Sequence, residues 1–316
     1  MNFYTKLFRL LSQIRSASER YSLFGVYIIY VFFSYLFLPK VNLSEFGIYK
    51  TSSYDILGEQ PNSVDVVAVG DSLVYSSICP REIYRDYGYM VFDCAQPAQI
   101  LPDAYEYYKV AVESQKPKVA IIESNILFRD ASKRPWYNGP LKVLKNSMPL
   151  VQNHSNWKKL LFSEEGLTNI EKGYKKSENI KPSENRTYMK TCNKAKGIPE
   201  KNIEYLKKII ELSKENDIRL VFVGLPSQKT WNYAKHRKME ELAKEFGLEY
   251  INLNLKDDLD IDWTQDTKDR GDHLNFYGAK KVSRFLGEYL RDMKVLKDHR
   301  DDPEYAEFNK LYCAKK

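Results

Sequence analysis

Val66-Val67-Ala68-Val69-Gly70-Asp71-Ser72-Leu73 is the stretch whose reading decides the fold. Four small or β-branched apolar residues in a row read as a strand buried on both faces, the kind that parallel sheets use. Glycine directly after them permits a sharp change of direction. The next polar side chains, Asp71 and Ser72, are then presented at the strand's C-terminal end, where ligands bind in open α/β sheets. The residues after Ser72 can start a helix, whose first N–H groups favour a developing negative charge.

Working outward, similar runs recur at Val64–Val69, Met90–Phe92, Val119–Ile122, Leu220–Val223 and Tyr250–Leu253. Amphipathic stretches lie between them. Asn202–Asn216 carries Ile203, Leu206, Ile209 and Ile210 at helical spacing, and Phe276–Asp292 carries Val282, Phe285, Leu286, Tyr289 and Leu290. Asn275 is placed to cap the second of these. Such alternation predicts an α/β, flavodoxin-like three-layer sandwich built on a parallel sheet over residues 61–316. The regularity fails over 128–199, which is rich in Lys, Asn, Ser and Pro. That span is too long for a bare loop and reads as an insertion folding over the C-terminal edge of the sheet. It carries Lys133, Arg134, Lys142 and Lys145 with Trp136, Tyr137 and Trp157, a mixture suited to a sugar or an anionic polymer.

Residues 23–38, LFGVYIIYVFFSYLFL, hold no charge. With Tyr21 and Ser22 they give about 18 residues and about 27 Å of helix, enough to cross a bilayer. Lys6, Arg9, Arg15 and Arg20 precede the run, whereas Lys40 and Lys50 are sparse after it. The expectation is a single-pass anchor in the cell membrane with residues 1–22 cytoplasmic, 39–60 a linker and the α/β domain, 61–316, outside. A cleaved signal peptide is the rival, although Pro39-Lys40-Val41-Asn42 offers no small-residue cleavage site. A buried core helix is the third reading.

Composition narrows the field. The chain is 43% hydrophobic and 14% aromatic, which excludes a disordered polymer. Its formal charge of +7 is not gathered into a basic motif with interleaved aromatics, so nucleic acid is not an expected partner. Cys79, Cys94, Cys192 and Cys313 form no CxxC pair, so a zinc site has no support, while an extracytoplasmic domain leaves room for a bridge. No metal or soluble cofactor is expected.

A serine nucleophile needs a base, and there are four histidines, His154, His236, His273 and His299. His154 lies in the insertion, His236 in a charged helical run and His299 in a tail of mixed charge. His273 sits in a polar loop, Asp269-Arg270-Gly271-Asp272-His273-Leu274-Asn275, just before the amphipathic helix. Gly-Asp-Ser-Leu after a strand together with this Asp–His pairing resembles the GDSL/SGNH hydrolase family. Asp-His-Leu-Asn followed by Gly278-Ala279 resembles its cell-surface acyl-transfer branch. The lipase-type G-x-S-x-G elbow is absent.

The resemblance implies a nucleophile at Ser72 and a base at His273. It usually places the triad acid three residues before the histidine, which here is Arg270 and cannot serve. Asp269 is favoured because Gly271 gives the loop slack, with Asp272 as the alternative. It also implies an oxyanion hole from the Asn125 side chain and the backbone N–H groups of Ser72 and Ala98. Two departures stand out: Glu123-Ser124 precedes Asn125 where the family has Gly-x, and alanine occupies position 98 where relatives carry glycine.

The anchor and insertion look more like membrane-tethered relatives that accompany membrane-bound O-acyltransferases. Examples are the alginate O-acetylation proteins and the accessory protein of lipoteichoic acid D-alanylation. That implies an acyl group passed to a cell-envelope polymer, with a membrane-bound O-acyltransferase as partner. Plain carbohydrate esterase activity and a non-catalytic polymer-binding role remain alternatives.

Overall fold

The computed structural model describes residues 55–130, 171–185 and 187–312, together with Gly25, Ile28 and Ile29, which are helical. Five parallel strands, β1 (Val66–Gly70), β2 (Val91–Ala95), β3 (Val119–Glu123), β4 (Arg219–Gly224) and β5 (Glu249–Asn252), pair in the order β2-β1-β3-β4-β5. Each expected strand is present, with ends shifted by a residue or three. Val66 registers with Val91 on one side and Val119 on the other, so β1 is paired along both edges.

Side chains of β1 alternate between two apolar layers, as the two-residue period of a strand requires. Val67 and Val69 pack with α3 (Leu101–Gln115), α4 (Glu200–Glu215) and α5 (Tyr233–Phe246). Val66 and Ala68 pack on the other face with α1 (Val74–Ser77), α2 (Pro80–Tyr87) and α6 (Phe276–Asp292). All four residues are fully buried. Each buried valine is worth about 1.5–3 kcal/mol of transfer free energy, which explains why this run is apolar on both faces. A final short helix, α7 (Ala306–Tyr312), closes the described chain.

The chain leaves β1 toward β2 and then crosses to β3 on the opposite side of β1, so the strand order reverses between β1 and β3. Loops from those two strands therefore part at their C-terminal ends and leave a crevice. Asn275 caps α6 as expected, its side chain accepting hydrogen bonds from the N–H groups of Tyr277 at 3.0 Å and Gly278 at 3.2 Å.

Within the expected insertion, residues 131–170 lie outside the described residues. From Lys172 onward the backbone runs irregularly across the loops at the C-terminal edge. Asp93 N donates to Lys172 O, Lys175 N to Tyr75 O, Phe276 N to Ser177 O, Lys181 N to Thr267 O and Lys196 N to Ala234 O, all at 2.7–2.9 Å. This strap ties the middle of β2, the serine turn, the histidine loop and the start of α5 together. No described helix is long and apolar enough to cross a membrane, and the anchor expected at 23–38 lies outside the described residues but for Gly25, Ile28 and Ile29. Cys79, Cys94 and Cys192 carry thiols rather than disulfides, and Cys313 is outside the described residues.

Candidate active site

Gly70 is required by a close approach. A Cβ there would stand 2.5 Å from both Glu123 Cβ and Val74 Cγ2, so only glycine lets the end of β1 pass under β3 and α1. Asp71 follows, fully buried, and it shapes the turn. Its Oδ1 accepts from Leu73 N at 2.9 Å, and its Oδ2 takes Nε of Arg129 at 2.8 Å together with Nη2 of the same guanidinium. Ser72 is thereby left half-buried at the mouth of the crevice.

The histidine loop is wound by two successive left-handed residues, Arg270 at φ 64° and Gly271 at φ 85°. A Cβ on Gly271 would meet Gln228 Oε1 at 2.6 Å, so the second of these positions is closed to a side chain. Thr267 Oγ1 accepts from Gly271 N at 2.8 Å and donates to His273 O at 3.0 Å, holding the loop's two ends together. The winding swings Asp269 back over His273. Its Oδ1 accepts from His273 N at 2.7 Å, while its Oδ2 lies 2.5 Å from His273 Nδ1. The other ring nitrogen, Nε2, is 2.7 Å from Ser72 Oγ.

Asp272 stands further off, with Oδ2 3.8 Å from Nδ1, beyond hydrogen-bonding reach. It does not cap α6 either, since Asn275 does. Partial burial works against the Asp269 charge, but the hydrogen bonds from the His273 ring and backbone outweigh it and hold the carboxyl below the usual aspartate range. Asp269 is therefore an ionised acceptor at neutral pH, fixing the tautomer with hydrogen on Nδ1 and the lone pair of Nε2 toward serine. Asp269, Asp272 and His273 also bring ligand-type atoms within 4.8 Å of one another. His273 spends both nitrogens on Asp269 and Ser72, which leaves neither of them for a cation.

Across the crevice, a 3-10 turn (Ser124–Phe128) follows β3 and carries Asn125. Glu123 is fully buried beneath it. One carboxylate oxygen accepts from Asn125 N at 2.6 Å and the other from Ile126 N at 3.2 Å. Burial, reinforced by nearby Asp71, pushes the Glu123 carboxyl well above its ordinary range. The Asn125 Oδ1 accepts from Lys235 Nζ at 2.7 Å, and Lys235 also donates to Thr230 O. An ammonium can only donate, so the amide nitrogen of Asn125 is the end left over. Among the described residues it makes no hydrogen bond, nor do the backbone N–H groups of Ser72 and Ala98. Ala98 adopts φ 52°, the left-handed conformation that glycine would take without cost.

Ser72, His273, Asp269, Asn125 and Ala98 thus each lie on a loop at the C-terminal edge of the sheet. Sequence reasoning passed over Glu123, Arg129 and Lys235. Glu123 registered only as a departure from a family pattern, although a carboxylate at the end of a buried strand is itself a signal that it meets backbone donors. Lys235 gave no local sign, being one of several lysines in a charged helix. Two more lysines contact α1, the helix that follows Ser72: Lys268 Nζ donates to Ser76 Oγ at 2.8 Å, and Lys175 Nζ lies 4.2 Å from the Tyr75 ring centre.

No family model matches the chain, and no curated protein matches it in sequence. Among solved structures it is similar to a protein described as lipolytic, of the G-D-S-L family, from Desulfitobacterium hafniense DCB-2. The identity is 15% over 71% of this chain and 97% of that one, with a TM-score of 0.40. A psychrotrophic esterase, EstA, from Pseudoalteromonas sp. shares 10% identity over 72% of this chain and 94% of its own, TM-score 0.38. A Clostridium thermocellum family 3 carbohydrate esterase shares 11% over 73% and 96%, TM-score 0.36.

Proposed function

We propose that this protein is a serine acyl-transfer enzyme of the GDSL/SGNH kind, moving an acyl group between oxygen atoms on carbohydrate or polyol substrates. The observation that carries the reading is the hydrogen-bonded line Ser72–His273–Asp269, with 2.7 and 2.5 Å between successive members. Ser72 Oγ attacks the acyl carbon while His273 Nε2 takes its proton, and Asp269 stabilises the imidazolium that forms. The tetrahedral oxyanion is received by Asn125 Nδ2 and the N–H groups of Ser72 and Ala98; losing one such donor costs about 2.7–4 kcal/mol of barrier. The bond to the leaving oxygen then breaks, and His273 returns the proton to it. A second hydroxyl, or water, gives its proton to His273 and attacks the acyl-enzyme; the acyl–Oγ bond then breaks and His273 returns the proton to Ser72 Oγ.

In its fuller form the proposal is an extracytoplasmic O-acyltransferase working on a cell-envelope polysaccharide or teichoic-acid-like polymer, held by the 23–38 segment beside a membrane-bound O-acyltransferase. What supports this is the uncharged apolar run with cations before it, and Lys268 and Lys175 against the helix that follows Ser72, which suit an anionic acceptor. A carbohydrate esterase uses the same residues with water as the final acceptor. Alanine at position 98 would favour a non-catalytic polymer-binding role, yet its left-handed backbone keeps the N–H as glycine would.

The test is turnover of 4-nitrophenyl acetate by the full chain in detergent, with and without a soluble oligosaccharide acceptor. Release of nitrophenol that Ser72→Ala abolishes supports the acyl-enzyme. Mass spectrometry of the acceptor then separates transfer from hydrolysis. Equal turnover by wild type and Ser72→Ala would remove the proposal.

A further inference from the structure

Lys235 lies in the first turn of α5, yet that helix does not need its charge. Asn232 already caps the helix, its side chain accepting from Lys235 N at 3.1 Å. The Lys235 side chain instead runs inward, past the Phe128 ring at 5.4 Å, to end on Asn125 Oδ1. Taking an ammonium out of water is costly, and Thr230 O and Asn125 Oδ1 only partly replace that water. Titratable and charged groups of four elements face it: Glu123 from β3, Asp71 from the serine turn, Arg129 after the 3-10 turn and Lys196 from the strap. Glu123 in turn binds the backbone of Asn125. One asparagine is thus held from two directions, its N–H by a buried carboxyl and its side-chain oxygen by a half-buried ammonium.

We propose that Lys235 is a positioning residue for oxyanion stabilisation: it fixes the Asn125 amide with its nitrogen free for the substrate oxygen and sets a positive charge one hydrogen bond behind that donor. The inference rests on the acyl-transfer reading above. The orientation follows because the reversed amide would point N–H at an ammonium, donor against donor. The charge acts because an amide whose oxygen is bonded to a cation is a stronger donor through its nitrogen. Both effects grow as negative charge develops on the substrate oxygen, so they lower the barrier rather than tighten ground-state binding.

Burial lowers the Lys235 ammonium to about 8, so the charge is present at neutral pH and is lost as pH rises through that value. Once neutral, the amine can still donate to Asn125 Oδ1. The two effects are therefore separable by pH and by two variants. Lys235→Met removes donor and charge, whereas Lys235→Gln retains a donor without charge.

The experiment is a pH series of kcat and KM for 4-nitrophenyl acetate with the full chain, Lys235→Gln, Lys235→Met and Ser72→Ala. Circular dichroism melting establishes that each variant is folded. At about pH 7 Lys235→Met should lower kcat about 100-fold with KM little changed, the scale of losing an oxyanion donor. Lys235→Gln should fall between Lys235→Met and wild type. Wild-type kcat should decline toward the Lys235→Gln value as the pH passes about 8, and that extra decline should be absent from Lys235→Gln. If Lys235→Met fails to fold, the comparison of wild type with Lys235→Gln still decides. Wild-type kcat in Lys235→Gln with an unchanged alkaline limb would overturn the proposal and leave the acyl-enzyme standing. Turnover that does not depend on Ser72 would overturn both.

Discussion

At the C-terminal edge of the sheet, His273 offers one ring nitrogen to Asp269 at 2.5 Å and the other to the Ser72 hydroxyl at 2.7 Å. At the opposite edge, where Asp65 precedes β1, His299 meets a carboxylate with each nitrogen, Asp65 at 3.2 Å and Asp302 at 3.3 Å. Its ring also stacks on Tyr305 with centroids 4.1 Å apart. The ingredients are alike, but the consequences differ. A ring between an acid and a hydroxyl can take a proton from one side while the other is held. A ring between two acids is best satisfied when both nitrogens carry hydrogen, and it becomes a clamp. The hydrogen bond to Asp65, against the opposing effect of burial, raises the affinity of His299 for its second proton. What separates a proton shuttle from a clamp is the partner on the second nitrogen.

Breaking each pair should therefore have opposite signatures. His273→Ala is expected to cut ester turnover by about 10⁴-fold or more, as removal of a triad base does, with little change in melting temperature. His299→Gln should leave kcat within about two-fold while lowering the urea midpoint, because it removes the ring that joins the partly exposed carboxylates of Asp65 and Asp302. Matched turnover and urea-denaturation measurements on the two variants check this, and a large loss of kcat in His299→Gln would erase the distinction.

Within the catalytic pair, Asp269→Asn should lower kcat by about 10⁴-fold through the wrong imidazole tautomer. Asp272→Asn, lacking the hydrogen bond to Nδ1, should cost about three-fold or less. A reversed ranking in steady-state kinetics would move the acid to position 272.

The clamp can be sharpened by pH. A histidine whose folded affinity for protons is raised contributes stability that is complete below its unfolded value, near 6.5, and lost as pH rises through the folded value. The difference in urea midpoint between wild type and His299→Gln should thus be larger at about pH 5.5 than at about pH 8.5. Using the difference cancels contributions such as that of His236, whose burial acts in the opposite sense. A difference that grew with pH would mean that His299 is held neutral.

The five strands were legible because each contains a run of apolar residues that the sheet buries on both faces, and Asn275 was legible because a cap acts within three residues. Which aspartate reaches the His273 ring was not legible from spacing, since Asp269 and Asp272 are both near His273 in the chain. It is decided by Arg270 and Gly271 turning left-handed in succession, a backbone event that glycine hints at and arginine conceals. Lys235 was illegible for another reason. Its partner Asn125 is 110 residues away, and no periodicity reports a contact between a helix start and a strand end on different units of the sheet.

The smallest expected effect lies at Ala98. Its left-handed conformation carries a strain of about 1–2 kcal/mol that glycine would relieve, offset by the greater freedom of glycine in the unfolded chain. Ala98→Gly should therefore raise stability by about 1 kcal/mol or less and leave kcat within about two-fold. A ten-fold fall in kcat would mean that the methyl group itself contacts substrate.

The central claim is that Ser72 is an activated nucleophile, and its most direct test is covalent. The full chain is incubated with a fluorophosphonate, and its mass and peptides are measured over time. A single adduct on Ser72 is predicted, absent from Ser72→Ala, greatly slowed in His273→Ala, and formed at the wild-type rate in His299→Gln. An unmodified Ser72 in the folded wild-type protein, or an equal labelling rate with and without His273, would contradict the account.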